Sequence, residues 1–216
     1  MMAQRLRVEW LGRSAYTVAH QQMVQRLEQR IAGDCGDTLL LCEHEPVYTL
    51  GRSRQSTAHL HTPGNTPVVK VERGGDVTFH GPGQLVAYPI CQLTGTHQDL
   101  HAWLRGLEQV TINVLQRFGI EGVRDQRNSG VWVAGKKIAA VGIACRKWTT
   151  WHGVAINLDL DLAPFGQMDP CGMDSALVTR MSDHLQPCPS LRRFRDTFAS
   201  EFRAWWQTWH ESPSVG

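Results

Sequence analysis

Cys171 stands between a proline and a glycine, in Asp169-Pro170-Cys171-Gly172-Met173. That setting is a loop rather than a core run. A nucleophilic cysteine works as the thiolate, which needs a nearby cation or a general base. Cys42, Cys91 and Cys145 sit instead in apolar, strand-like runs and read as small buried hydrophobes. Lys136 and Lys137 open another apolar run, over 138–143. Adjacent strand residues face opposite sides, so one of the two lysines belongs to solvent and the other can point inward. An inward ammonium beside a thiol lowers the thiol's pKa and can move protons itself. A second dense stretch lies at 73–84, R-G-G-D-V-T-F-H-G-P-G-Q. Its glycines permit positive φ or a close approach of backbone to a ligand. Arg73, Thr78, His80 and Gln84 supply more polar function than two turns require. The stretch reads either as two tight loops in a sheet or as a pocket wall. His80 reads equally as a base or as a turn histidine bonded to backbone.

The elements that must carry these residues follow from periodicity. Met23, Val24, Leu27 and Ile31 predict a helix over 20–31. The continuous apolar run 38–42 predicts a central strand, interrupted over 43–46 and resumed over 47–51. Residues 53–67 read as a loop. A short buried strand over 68–71 and another strand over 84–90 flank the glycine-rich stretch. Leu100, Trp103, Leu104, Leu107, Val110, Val114, Leu115 and Phe118 predict a helix over 100–118, stopped at Gly119. Runs at 130–133, 138–143 and 154–158, with turns between them, predict an antiparallel meander. The segment 159–179, which carries Cys171, has no period and reads as a long structured loop. Leu191, Phe194, Phe198, Phe202, Trp205 and Trp209 form one stripe of a last helix, and such a stripe reads as core. These elements predict an α+β (α/β) architecture: a mixed, largely antiparallel sheet with flanking helices, in one domain spanning 1–216.

Several function classes drop out. A net charge of +2 does not mark a nucleic-acid binder. No apolar run approaches the ~20 residues of a membrane span. The N-terminus lacks the apolar core of a signal peptide, so a cytoplasmic protein without a membrane partner is expected. The cysteines form no C-x-x-C, which argues against a zinc ribbon or a thioredoxin-like site. Free thiols and no metal site are expected. Gly130 to Lys136 matches G-x-x-x-x-G-K, but Lys137 follows where a phosphate loop carries Ser or Thr, and the intervening residues are strand formers.

Four segments in one order resemble the lipoyl(octanoyl) transferases. Residues 73–84 are similar to that family's R-G-G-x-x-T-[FY]-H-G-P-G-Q signature, and 137–142 to its K-I-A-x-x-G strand. Thr150-Trp151-His152-Gly153-Val154-Ala155-Ile156-Asn157 resembles its T-x-H-G-x-A-x-N segment, and Pro170-Cys171-Gly172 its P-C-G loop. Asp76 falls at a variable position of the signature. The resemblance implies a fold shared with the catalytic domains of biotin protein ligases and lipoate ligases. It implies transfer of an octanoyl group from acyl carrier protein to a lysine of a lipoyl domain, as in 2-oxoacid dehydrogenase E2 subunits and the glycine cleavage H protein. By motif match, Cys171 becomes the nucleophile and Lys137 the residue that lowers its pKa. Arg73, Gly74, Gly75, Asp76, Val77, Thr78, Phe79 and His80, with Ala140, Val141, Gly142, Gly153, Val154 and Ala155, become the acyl-pocket segments. Gly83, Gln84, His152, Asn157 and Gly172 become supports. A monomer without cofactor is expected, the phosphopantetheine arriving on the carrier protein. The alternatives are an ATP-dependent lipoate- or biotin-type ligase, a non-catalytic acyl- or lipoyl-domain-binding protein, and a cysteine hydrolase.

Overall fold

The computed structural model describes residues 6–211. In chain order they form β1 (Arg7–Ser14), α1 (Tyr16–Ala32), β2 (Thr38–His44), β3 (Val47–Leu50), β4 (Val68–Lys70), β5 (Val77–His80), β6 (Gln84–Ile90), α2 (Leu100–Arg117), β7 (Gly130–Val133), β8 (Lys136–Arg146), β9 (Thr149–Asn157) and α3 (Leu191–Glu211). Short 3₁₀ turns punctuate the stretch between β9 and α3, including Pro170–Gly172.

Six strands make the main sheet, in the order β1-β2-β6-β9-β8-β7. The β1–β2 pair is parallel and every other pair is antiparallel. Its apolar residues alternate between two covered faces. Leu39 and Leu41 of β2 and Leu85 and Ala87 of β6 share a core with Trp103 and Leu107 of α2 and Phe198 and Phe202 of α3. Leu40, Cys42, Val86 and Tyr88 turn the other way, onto Met23 and Leu27 of α1. Two buried faces explain why these strands read as unbroken apolar runs. A second sheet, β4-β3-β5, packs Tyr48, Leu50, Val77 and Phe79 against Leu160, Phe165, Met168 and Val178 of the segment after β9. This small sheet therefore holds the loop that carries Cys171.

The helices form for local reasons as well as packing. Asp99 caps α2 by accepting the His101 and Ala102 amides at 2.8 and 3.0 Å. Gly33 ends α1 in the left-handed conformation, φ 84°. Four expectations need correcting. Helix α1 begins at Tyr16, four residues early, because the buried Tyr16 and Ala19 extend its apolar face. Strand β2 runs on through Glu43 and His44, whose polarity suggested a break; the Glu43 carboxylate accepts Arg13 Nε at 2.7 Å and the Gly83 amide at 2.6 Å. Strand β4 is an exposed edge, with Val68 42% accessible, because it pairs on one side only, with β3. Strands β1 and β5 were not foreseen: β1 is half-exposed and irregular between Trp10 and Arg13, and β5 is four residues inside a glycine-rich stretch.

Candidate active site

A cavity of about 640 Å³ opens where the two sheets meet the loop after β9. Arg73 to Thr78 form one wall, Ala139 to Ile143 of β8 and His152 to Ala155 of β9 another, and Lys137, Asn128, Pro170 and Gly172 lie at its polar end. The hairpin β8–β9 sets Gly142 opposite Gly153 and Ala140 opposite Ala155. A Cβ on Gly153 would come within 2.2 Å of the Ala87 carbonyl, so only glycine fits where β9 approaches β6.

Of the two lysines, Lys136 is exposed in the turn and Lys137 points inward, 7% accessible. Its Nζ donates to Asn128 Oδ1 at 2.9 Å. Its carbonyl accepts the Thr179 amide at 3.0 Å, which ties β8 to the loop eight residues beyond Cys171. The Cys171 side chain lies outside the described residues. Its backbone belongs to the 3₁₀ turn Pro170–Gly172, and both neighbours line the same cavity as Lys137.

The polar residues of the glycine-rich stretch form a chain of hydrogen bonds. Arg73 Nη2 donates to the Thr49 carbonyl and hydroxyl, each at 2.9 Å. The Thr49 hydroxyl lies 3.3 Å from His80 Nε2, and His80 Nδ1 lies 2.7 Å from Gln84 Oε1. The Gln84 amide nitrogen donates to Asn157 Oδ1 at 2.9 Å, and the Asn157 nitrogen donates to the Thr179 carbonyl at 2.9 Å. Because the Gln84 NH₂ is donating, its oxygen accepts, so His80 carries its hydrogen on Nδ1. The Nε2 lone pair then receives the Thr49 hydroxyl. Burial pushes the His80 pKa well below its ordinary value, and the charges of His44 and Arg73 push the same way. His80 is thus held neutral, as a link between Arg73 and the loop after β9, at the lining of the cavity.

Two of the residues assigned from the motifs do not line the cavity. Phe79 turns to the opposite face of β5, as strand alternation requires, and meets Tyr48 in a tilted contact at 5.3 Å and Phe165 edge-on at 5.9 Å. Gly83, at φ 88°, shapes the turn: its carbonyl accepts the Leu158 and Asp159 amides at 3.0 Å. Gln84, His152, Asn157 and Gly172 do line it.

His59 went unnoticed in the sequence. Its Nδ1 pairs with a carboxylate oxygen of Asp76, whose other oxygen accepts the Val77 amide at 2.8 Å. Its ring approaches to 3.5 Å the point where a Gly172 side chain would begin. With Nδ1 committed to Asp76, Nε2 offers a lone pair beside the Cys171 turn. Nothing in its loop sequence marks it; only the Asp76 pairing and the Asp169 amide, which donates to the His59 carbonyl at 2.8 Å, bring it here.

Residues 15–203 match a family described as the lipoyl protein ligase A/B catalytic domain. The chain is 46% identical over 181 residues to the octanoyltransferase of Gloeobacter violaceus, covering 83% of this chain and 80% of that one. It is 43% identical over 180 residues to the octanoyltransferase of Geobacter metallireducens, covering 83% and 84%. The chain belongs to the octanoyltransferase family. It is an acyltransferase. The fold is shared more widely. A lipoate-protein ligase A bound with ATP superposes with a TM-score of 0.74 at 15% identity, over 95% of this chain and 86% of that one. Biotin protein ligase from Aquifex aeolicus gives 0.61 at 12% identity, over 96% and 73%. These distant neighbours establish the mixed sheet with flanking helices and nothing about chemistry. Among the described residues no helix is long and apolar enough to cross a membrane.

Proposed function

We propose that this acyltransferase moves an octanoyl group from the thioester of an acyl carrier protein to a lysine of a lipoyl domain, by way of a thioester on Cys171. The observation that carries the reading is the buried Lys137, which shares one cavity with Pro170 and Gly172, the neighbours of Cys171. A positive charge there favours the thiolate. The thiolate attacks the donor carbonyl, the phosphopantetheine sulfur leaves with the electron pair, and a proton from solvent or Lys137 neutralises it. The acceptor amine then attacks the enzyme thioester, and the cysteine leaves as thiolate. The amine must lose a proton, and His59, oriented by Asp76, is the acceptor the geometry supplies. Both steps exchange an activated acyl group, so the scheme needs no ATP, bound cofactor or metal. The wall of Val77, Ala140, Val141, Gly142 and Val154 suits an octanoyl chain, each buried CH₂ contributing ~0.8 kcal/mol.

A single domain working as a monomer in the cytoplasm, on E2 and H-protein lipoyl domains, completes the reading. An archaeal lipoate ligase on this fold has been solved within a system that includes its E2 lipoyl domain. The test is intact-mass measurement after mixing with octanoyl-acyl carrier protein. One octanoyl adduct, removed by hydroxylamine, is expected and should be absent in Cys171→Ser. An adduct that persists in that variant, or transfer that requires ATP, overturns the scheme.

A further inference from the structure

At the lining residue His152, three side chains from separate elements converge beside the cavity. His20 comes from α1, Glu72 from the turn between β4 and β5, and His152 from β9. His20 Nε2 lies 3.0 Å from one Glu72 oxygen, and the same oxygen lies 3.5 Å from His152 Nε2. The three ligand atoms all fall within 4.8 Å of one another.

His152 is unusual in three independent ways. It is 2% accessible, yet its Nε2 has no hydrogen-bond partner; the 3.5 Å approach to Glu72 is not one. Buried ring nitrogens are normally satisfied, and an orphan calls for an explanation. Its φ is +57°, a left-handed conformation uncommon for residues with a side chain. Its amide donates to Met23 Sδ at 3.3 Å, a contact to α1. The fold holds this ring in place at a cost, with its free nitrogen turned toward a carboxylate and a second imidazole.

We propose that His20, Glu72 and His152 form a binding site for a divalent transition metal ion. Two imidazoles and one carboxylate are a donor set that zinc accepts, with bonds of about 2 Å and a fourth position left for water. Atoms spaced as these are reach one such ion after small side-chain rotations. Glu72 is half-exposed, which places the water position and the entry path on its side. The guanidinium of Arg73 is near enough to His152 to oppose a cation, and the Glu72 carboxylate offsets it in part. The ion would fasten α1 to two segments of the cavity wall, since Glu72 precedes Arg73 and His152 precedes Gly153, both lining residues. The site does not depend on the acyl-transfer reading; only its consequence for the cavity does.

The experiment is titration of the metal-free full chain with Co²⁺ followed by Zn²⁺ displacement, in a Cys171→Ser background so that this thiol is not a ligand. The expected result is one saturable equivalent with the visible spectrum of nitrogen and oxygen ligation, without thiolate charge-transfer bands. Glu72→Gln and His20→Ala alter side chains that are not fully buried, so the fold should survive them, and each should weaken binding at least tenfold. His61→Ala, which removes an exposed histidine paired with Asp169, should leave binding unchanged. Zn²⁺ should also raise the thermal midpoint of the parent protein, and not that of Glu72→Gln. No saturable equivalent, thiolate bands, or an affinity in Glu72→Gln and His20→Ala equal to that of the unsubstituted site would overturn the proposal.

Discussion

His44 and His80 make the fold acid-sensitive in a window where most proteins are indifferent. The rings are buried with centroids 5.6 Å apart, in the polar seam between α1 and the sheets. Burial pushes His44 down to about 4, against a hydrogen bond to the Ser14 carbonyl. Burial, with the neighbouring charges of His44 and Arg73, pushes His80 well below its ordinary value of 6.5, against its bond to Gln84. The unfolded chain takes up protons on both residues as pH drops through about 6.5, and the folded chain does not. The unfolded state therefore binds more protons there, so stability falls with falling pH. The contribution is complete above about pH 6.5 and is lost from there down through the folded values, near 4 for His44. Each histidine contributes a slope of about 1.4 kcal/mol per pH unit, and burial lowers the His152 ring likewise, to about 3, so the three give about 4 kcal/mol per unit, against a total of roughly 5–15 kcal/mol. Carboxylates titrate lower. Burial would raise Asp37, but the His210 ring 3.3 Å away and the hydrogen-bonded Arg30 guanidinium more than offset it and hold it below its ordinary 3.8. Urea unfolding midpoints measured in steps from neutral pH down to the mid-fours read the histidine term almost alone. His44→Gln should remove about a third of the slope. A midpoint that stays level across that window, or a slope unchanged by His44→Gln, would refute the reasoning.

Lys137→Met keeps the length of the side chain and removes its charge. Octanoyl transfer should fall at least ~10²-fold, and the pH profile of Cys171 alkylation should move upward, with the melting temperature nearly unchanged. An unmoved alkylation profile would end the pKa-lowering role of Lys137. Gly142→Val adds bulk where a Cβ would already sit 3.1 Å from Arg73 Cδ and 3.2 Å from the Gly74 carbonyl. Competition between acyl donors should shift roughly tenfold toward chains two carbons shorter, since two methylenes are worth ~1.6 kcal/mol. Gly83→Ala tests architecture instead: its Cβ would lie 2.5 Å from the Asp159 carbonyl at φ 88°, so denaturant titration should show a loss of about 2 kcal/mol or more.

Where one face or one period dominates, the sequence reads directly. Helix α2, the meander β7–β9 and the stripe of α3 follow from apolar spacing, and the lysine pair resolves into one outward and one inward residue by strand alternation. What failed to read was set by partners distant in sequence. Glu43 and His44 look like a break, yet they stay in β2 because Arg13, Gly83 and Tyr88 satisfy them. Trp206, rather than Trp205, is the fully buried tryptophan of α3, because its indole nitrogen donates to the buried Asp37 at 2.9 Å. His59 and Asp76 stand in a loop and at a variable motif position, and only the tertiary fold pairs them. Motif identity alone also overstates the cavity at Phe79, whose role is packing, while Gly83 supports the site through turn geometry.

The same contrast settles the part played by the glycine-rich stretch. Its residues are dense enough to suggest the chemical centre, yet their hydrogen bonds are spent on one another. Arg73, Thr49, His80, Gln84, Asn157 and Thr179 satisfy each other in series, and the series ends at Thr179, whose amide binds the Lys137 carbonyl. A buried chain in which each link is paired is rigid, because breaking one link orphans its neighbour at a cost of about 1–3 kcal/mol. Its product is position: it fixes the Arg73 wall, and it holds the loop that follows Cys171 against the strand that carries Lys137. The proposed pairing of Lys137 with Cys171, far apart in sequence, needs a structure that sets their separation, and this hydrogen-bonded chain is suited to that task.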